Sequence, residues 1–271
     1  MTSNILFLGT GVDSATVASQ SRATGGIVFG YNDAFFLINP RPGSIVRARQ
    51  FNFNFRALIG ILLTDNTILA ANDTNVVIDA MTYSGEDKRG LLFGPKECFE
   101  GEKKIILDDY KNLAEKIIYM EQGKKVGIDD LEIYALKTNK LVSLGYKIAT
   151  PDFTVCYTGE AEFSLDLADE YKDCDVLLIS LKHEFGANSA ADKGLTYNHV
   201  SKIISIAKPR VTVICDFSES VIQADPISQA RQLQKETGFQ VVAAKDGMNL
   251  NPRAYSKPKT QGNQYLSYQR K

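Results

Sequence analysis

The run Val176–Ile179 is apolar at every position, with none of the in–out alternation of a strand that has one face in water. Such a strand is stable only in a sheet covered on both faces, which requires layers on either side of it. The surrounding sequence supplies them. Phe163 to Tyr171 carries Phe163, Leu167 and Tyr171 at helical spacing, and Thr196 to Ile206 reads as a helix that ends before Pro209. Val211 to Cys215 reads as another buried strand, Pro226 to Thr237 as a helix stopped by Gly238, and Phe239 to Ala243 as the last strand.

The N-terminal half is richer in β-structure. Ile5 to Leu8, Ile27 to Phe29 and Ala34 to Ile38 read as strands, with a Gly/Ser/Thr-rich stretch from Gly9 to Gly26 between the first two. Pro42-Gly43 introduces a helix from Ser44, placed to cap it, to Gln50, and Arg56 to Leu63 reads as the next buried strand. Asn75 to Met81 and Asp109 to Leu113 read as helices. Leu91 to Phe93, Lys116 to Tyr119 and Glu132 to Leu136 read as strands, and Gly145 to Ile148 pairs with Thr154 to Tyr157 as a hairpin. Together these elements suit a four-layer αββα sandwich forming one domain over residues 1–250. Residues 251–271 hold five basic residues, no acidic ones and few apolar anchors, and are expected to be a basic polar tail.

With 31 basic and 32 acidic residues, the 271-residue chain offers no broad field for nucleic acid or an anionic membrane, so any such contact must be local. No apolar run approaches the roughly 20 residues that span a bilayer, and the N-terminus lacks a leader pattern; a soluble, cytoplasmic protein is expected. Cys98, Cys156, Cys174 and Cys215 lie far apart and are expected to be structural thiols. Two histidines are too few for a Cys/His zinc site. A homodimer is expected from the base rate for soluble proteins alone.

Several segments, taken in order, resemble the metallo-β-lactamase superfamily: ILFLGTG at 5–11, RATGG at 22–26, FLINPRPG at 36–43, ILLTDN at 61–66, KRGLLFGP at 88–95, YTGE at 157–160, CDVLLI at 174–179, KPRVTVICDF at 208–217 and TGFQVVAAKDGM at 237–248. The likeness is to archaeal and bacterial hydrolase-like members, and more distantly to the tRNA-processing ribonuclease and cyclic-nucleotide phosphodiesterase branches. It implies the αββα fold and a two-zinc site. Its His-x-His-x-Asp-His motif falls on Asp65-Asn66-Thr67-Ile68-Leu69-Ala70, so Leu69 and Ala70 stand where ligands are needed and Thr67 is a weak neutral oxygen. The next histidine falls at Thr138, the bridging aspartate at Glu160, the late histidine at Asp216, the aspartate of the FLI-x-PGPG turn at Asn39, and a further histidine of some relatives at Gly194. The resemblance therefore implies a pseudoenzyme whose metal site is lost, with no zinc expected and no catalytic residue inherited.

Two readings of that site stay open. The carboxylates Asp65, Glu160 and Asp216 are either drifted remnants, solvated or paired with donors such as Arg41 or Lys137, or a hard all-oxygen site for Mg²⁺, Mn²⁺ or Ca²⁺. Candidate ligand-binding groups are Arg41, Arg47, Arg49 and Lys137, together with His183 of SLKHEFG, which could pair with Glu184 as acid and base. Arg41, Arg47, Arg49 and Arg56, interleaved with Phe51, Phe53 and Phe55, suit phosphates and stacked bases; the bland alternative is a solvated helix face followed by an edge strand with its phenylalanines inward. The glycine-rich stretch lacks a Walker-type lysine, and His199 is expected on a helix face. The expected function is binding without catalysis, of a phosphorylated or nucleotide-like ligand or of a protein partner. The alternative is a phosphodiesterase- or nuclease-like hydrolase using a non-zinc metal. Since the vanished ligands sit on loops while the strands keep their apolar runs, EDTA should leave the melting temperature unchanged; a fall of many degrees would contradict this.

Overall fold

The computed structural model describes residues 3–184, 186 and 194–256. Strands β1 (Ser3–Phe7), β2 (Ile27–Tyr31), β3 (Ala34–Ile38), β4 (Leu58–Leu62), β5 (Leu91–Gly94) and β6 (Lys116–Tyr119) build one sheet. A second comprises β7 (Lys125–Ile128), β8 (Leu131–Leu136), β9 (Gly145–Ala149), β10 (Thr154–Tyr157), β11 (Val176–Ser180), β12 (Val211–Cys215) and β13 (Val241–Ala243), and the two-residue β14 (Asn249–Leu250) returns to pair with β1 of the first. Pairing is antiparallel between β1 and β2, across a connection that contains α1, and where turns connect β2 to β3 and β7 through β10, with Thr154 opposite Ala149 in the expected hairpin. It is parallel where helices intervene, from β3 to β6 and from β10 to β13.

Where the apolar runs are continuous, as in β3 and β11, the strand buries side chains on both faces. In β3, Phe36 and Ile38 enter the core between the sheets while Leu37 meets the outer helices; in β11, Val176 and Leu178 point inward while Leu177 and Ile179 point outward. Helices α1 (Ser14–Ser19), α2 (Ser44–Gln50), α3 (Ile68–Ala71), α4 (Thr74–Thr82) and α5 (Asp108–Lys111) precede the second sheet in the chain, and residues of α2, α3 and α4 share the outer core of the first. Against the second sheet pack α6 (Leu165–Glu170), α7 (Tyr197–Ala207), α8 (Glu219–Gln223) and α9 (Pro226–Thr237). The αββα architecture follows. Asn39, Thr64, Glu160, Lys182 and Asp216 come just beyond the C-terminal ends of β3, β4, β10, β11 and β12, so strand direction alone gathers them at one mouth of the sandwich.

Several local expectations are corrected. Gly43, at φ +90°, caps α2, and Ser44 is its first residue, with its hydroxyl donating to the Arg41 carbonyl at 2.8 Å and accepting from the Gly26 amide. No edge strand follows α2: Asn54 caps a 3₁₀ turn, Phe55–Ala57, and β4 begins only at Leu58. Short α1 lies inside the Gly/Ser/Thr-rich stretch, while β7 and α8 were too short or too polar to read. The supposed tail is part of the body at its start: Asn251 caps the 3₁₀ turn Pro252–Tyr255, and Arg253 bonds Ser3, Asn32 and, at 2.9 Å, Asp152. Residues 257–271 lie outside the described residues.

Tyr146 of β9, fully buried, donates to the Leu63 carbonyl beyond β4 at 2.6 Å, a polar tie across an otherwise apolar core. Tyr146→Phe should cost about 1–2 kcal/mol by strandedness of that carbonyl, seen as a lower denaturant midpoint at unchanged slope.

Candidate functional site

Two residues at the mouth sit in left-handed backbone. Asn39 (φ +50°) directly follows β3 and Asp216 (φ +55°) directly follows β12, a conformation that Asn and Asp tolerate better than other residues with a Cβ. The turn at Asn39 is fixed by its side chain: Oδ1 accepts from the Thr64 amide at 2.9 Å and Nδ2 donates to the Thr64 hydroxyl at 2.8 Å. Thr64 passes its own proton to Asp65 Oδ2 at 3.0 Å, and Asp65 Oδ1 accepts from both the amide (2.9 Å) and the hydroxyl (2.6 Å) of Thr67. Asp65 is 5% exposed, and none of the ion pairs among the described residues reaches it.

On the facing sheet the charge is handled differently. Arg41, 5% exposed, spans from the turn beyond β3 to Asp216, with Nη1 at 2.5 Å from Oδ1, and its Nη2 donates to the Tyr157 hydroxyl at 3.0 Å. Tyr157 in turn donates to Asp216 Oδ2 at 2.6 Å, closing a triangle of guanidinium, phenol and carboxylate. Burial alone would raise the Asp216 pKa, but the Arg41 charge and the two hydrogen bonds outweigh it and hold the carboxyl below its ordinary range. Burial would likewise lower the guanidinium, and Asp216 reverses that. Burial, then the Asp216 charge, pushes the Tyr157 phenol well above its ordinary value.

Glu160 is shared by two lysines, Lys140 at 3.1 Å and Lys182 at 3.6 Å. Burial would raise its pKa; the lysines bring it below the usual value. Lys182 is itself lowered, because its burial outweighs Glu160. It enters through a gap: a Cβ on Gly194 would lie 2.9 Å from Lys182 Cγ, so the missing side chain at 194 leaves room for the lysine stem.

These side chains enclose a cavity of about 100 Å³. Of the expected positions, Asn39, Asp65, Thr67, Leu69 and Ala70 line it from the first sheet, with Arg41 between the sheets and Glu160 and Asp216 from the second. Others are elsewhere. Thr138 is buried behind Glu160 with its hydroxyl on the Ser143 carbonyl. Lys137 faces Asp166 at 3.8 Å, and both Thr138 and Lys137 line a separate cavity of about 260 Å³. Arg47 bonds the Leu8 carbonyl and Gln50 and lies over Phe51; Arg49 is exposed on α2, outside the lining. The carbonyl of His183 accepts from the Tyr197 amide and His183 is not among the cavity-lining residues, while Glu184 takes the Ser220 hydroxyl. Phe53 and Phe55 pack with the helix-side core, so they form no base-stacking platform.

Lys182, Ser180, Thr64 and Tyr157 were missed. Tyr157 lies in the YTGE segment and Lys182 directly before His183; neither is a zinc-ligand type, so a metal-site motif carries no signal for them. Leu69 and Ala70 offer no donor atom, Asp65 Oδ1 is taken by Thr67, and both Asp216 oxygens are held by Arg41 and Tyr157. The residues present do not fit a two-zinc centre. Asp65, Glu160 and Asp216 do line one cavity, but among the described residues no group of three or more His, Cys, Asp or Glu is placed to hold a metal ion.

No family model matches the chain. It is 22% identical over 251 residues to an uncharacterized protein of Methanocaldococcus jannaschii, covering 91% of this chain and 94% of that one. Among solved structures it is similar to the metallo-β-lactamase fold protein YhfI of Bacillus subtilis (TM-score 0.77, 14% identity, 92% of this chain and 98% of that one). It is also similar to the short form of human tRNase Z (TM-score 0.68, 14% identity, 91% and 98%) and to yeast PDE1 (TM-score 0.71, 9% identity, 93% and 100%). The chain has the metallo-β-lactamase fold, and its structural neighbours include metallo-hydrolases.

Arg41→Met should leave Asp216 buried and unpaired and cost about 3–5 kcal/mol in chemical denaturation, with Arg41→Met/Asp216→Asn recovering part of the loss. Because the Asp216 pKa is depressed in the folded state, its contribution is fully present above the unfolded carboxylate value near pH 4 and disappears as pH falls through the lower folded value. Wild type should therefore lose more stability on acidification than the double variant does.

Proposed function

We propose that this chain is a non-catalytic protein of metallo-β-lactamase fold that uses the former metal cavity to bind a small polar ligand. The observation that carries the reading is the Arg41–Asp216–Tyr157 triangle: a fixed guanidinium stands where a metal would need Asp216, and it consumes both carboxylate oxygens. A cation held by the chain neutralises charge, but it cannot carry and deprotonate a water as zinc does. The cavity also bounds the ligand. Its volume of about 100 Å³ is well below the roughly 300–1,000 Å³ of a drug-sized site, so it admits a single small molecule or one group of a larger one, and not a nucleoside.

Charge bounds it further. Arg41 and Lys182 face Asp65, Glu160 and Asp216 across the cavity, and Lys140 behind Glu160 brings the local sum to zero. A phosphate dianion entering there would add uncompensated negative charge, so a phosphorylated ligand is the less favoured occupant. The convergence of Asp65, Glu160 and Asp216 favours a second reading, a hydrolase with a hard cation such as Mg²⁺ or Mn²⁺ on those oxygens. Against it stand the prior claims on them, Arg41 on Asp216 and two lysines on Glu160.

Protein from zinc- and manganese-supplemented medium should contain well under one equivalent of either metal by elemental analysis. It should not cleave an activated phosphodiester above background with added Zn²⁺, Mn²⁺ or Mg²⁺. Stoichiometric metal together with turnover abolished in a folded Asp65→Ala variant would establish the second reading instead.

A further inference from the structure

The sandwich has a second open end, opposite the mouth. There the turn Asn32–Asp33, which joins β2 to β3, and the turn Asp129–Asp130, which joins β7 to β8, line one groove of about 320 Å³. Its floor is the edge of the core between the sheets: Tyr31 and Leu131 belong to that core, and Ala34 and Ile59 pack against it only partly buried. Its rim is acidic. Asp33, Asp129 and Asp130 are exposed, and no ion pair among the described residues includes them. Exposed carboxylates are well solvated and by themselves ask for no partner; what marks this groove is the part of the chain that arrives at it.

The first basic residue beyond β14 already docks at this end. Arg253 pairs with Asp152 at 2.9 Å, donates to Asn32 Oδ1 at 3.2 Å and lies over the Tyr31 ring at 5.3 Å, so it reaches two residues that line the groove. Tyr255 packs against the inner core, and the Ser256 hydroxyl donates to the Arg253 carbonyl at 3.0 Å, so Ser256 stands beside the residue whose side chain reaches the rim. Residues 257–271 follow, with Lys257, Lys259, Arg270 and Lys271, no acidic residue, and the apolar surfaces of Tyr265, Leu266 and Tyr268.

We propose that residues 257–271 dock in this groove of their own chain, with basic side chains against Asp33, Asp129 and Asp130 and with Tyr265 and Leu266 over the apolar floor. The stretch from Lys257 to Gln264 spans up to roughly 25 Å when extended, enough to bring Tyr265 onto that floor. Exposed ion pairs are individually weak, but covalent attachment supplies an effective concentration on the order of millimolar, so weak contacts suffice to keep the groove filled. The same segment of a second copy carries the same charges and competes without that advantage.

Trypsin reports the docking in the full chain. Pro258 blocks cleavage after Lys257, so Lys259–Thr260 is the first scissile bond of the segment. At low salt, loss of residues 260–271, followed by intact mass against a reference peptide in the same tube, should be slower by about tenfold or more than in an Asp33→Asn/Asp129→Asn/Asp130→Asn variant, since cleavage tracks the undocked population. Asparagine keeps the left-handed backbone at position 129 (φ +48°), so this variant should melt as wild type does. Tyr265→Ser/Leu266→Ser should expose the bond to a similar degree, and it decides the matter if the triple variant does not melt cooperatively. About 1 M NaCl, where the screening length falls to about 3 Å, should speed cleavage of wild type relative to the reference. The proposal is overturned if folded wild type is cleaved as fast as these variants, or if protection grows with protein concentration across the micromolar range, which would assign the groove to a second copy.

Discussion

The buried ion pair between Arg41 and Asp216 ties together parts of the chain that would otherwise repel or drift apart. Arg41 hangs from the turn beyond β3 in one sheet, Asp216 directly follows β12 in the other, and Tyr157 at the end of β10 bonds both. Taking two such charges out of water is expensive, and only bonds on both carboxylate oxygens within a low-dielectric site repay it. With that triangle in place the Asp216 charge is balanced within the chain. Without it, Asp216 would be an isolated anion between two apolar cores.

The neighbouring parts of the site are arranged around this pair. Lys182 reaches Glu160 because residue 194 is a glycine, and Lys140 reaches the same carboxylate from the other side. Asp65 is turned toward Thr67, which converts a motif of metal ligands into a local hydrogen-bonded turn at the start of α3. Three anionic positions thus have three different solutions: a guanidinium, a pair of ammonium groups, and two hydroxyls with one backbone amide. Of the three, Asp65 is the one that takes part in no ion pair among the described residues.

The fold is less demanding than the site. Its three cores are built from strands that send alternate residues to the middle and to the helices, so Leu37 and Phe36, or Leu177 and Val176, are neighbours in sequence and members of different cores. That arrangement is indifferent to what stands on the loops at the strand ends. It is why a chain with 14% identity to YhfI keeps a similar architecture over 92% of its length while Leu69 and Ala70 sit at positions where the motif would have ligands.

The sequence by itself determined the layered architecture, because unbroken apolar runs such as Val176–Ile179 admit only a doubly covered strand, and helix-period segments between them supply the cover. It also determined that Leu69 and Ala70 offer no donor atom, a property of residue type that no folding can change. What local periodicity missed were elements too short or polar to show it: α1 within a glycine-rich stretch, β7 with its KVGI pattern, and the turn at Phe55. Only the tertiary structure decided which charges meet. Arg41 and Asp216 are 175 positions apart, and nothing in their local sequence distinguishes Arg41, at the cavity, from Arg47, on the Leu8 carbonyl, or Lys182 from Lys137. An ion pair depends on where two strand ends arrive in space and on how much water is left between them, and that is fixed by sheet order and packing, not by neighbours in the chain.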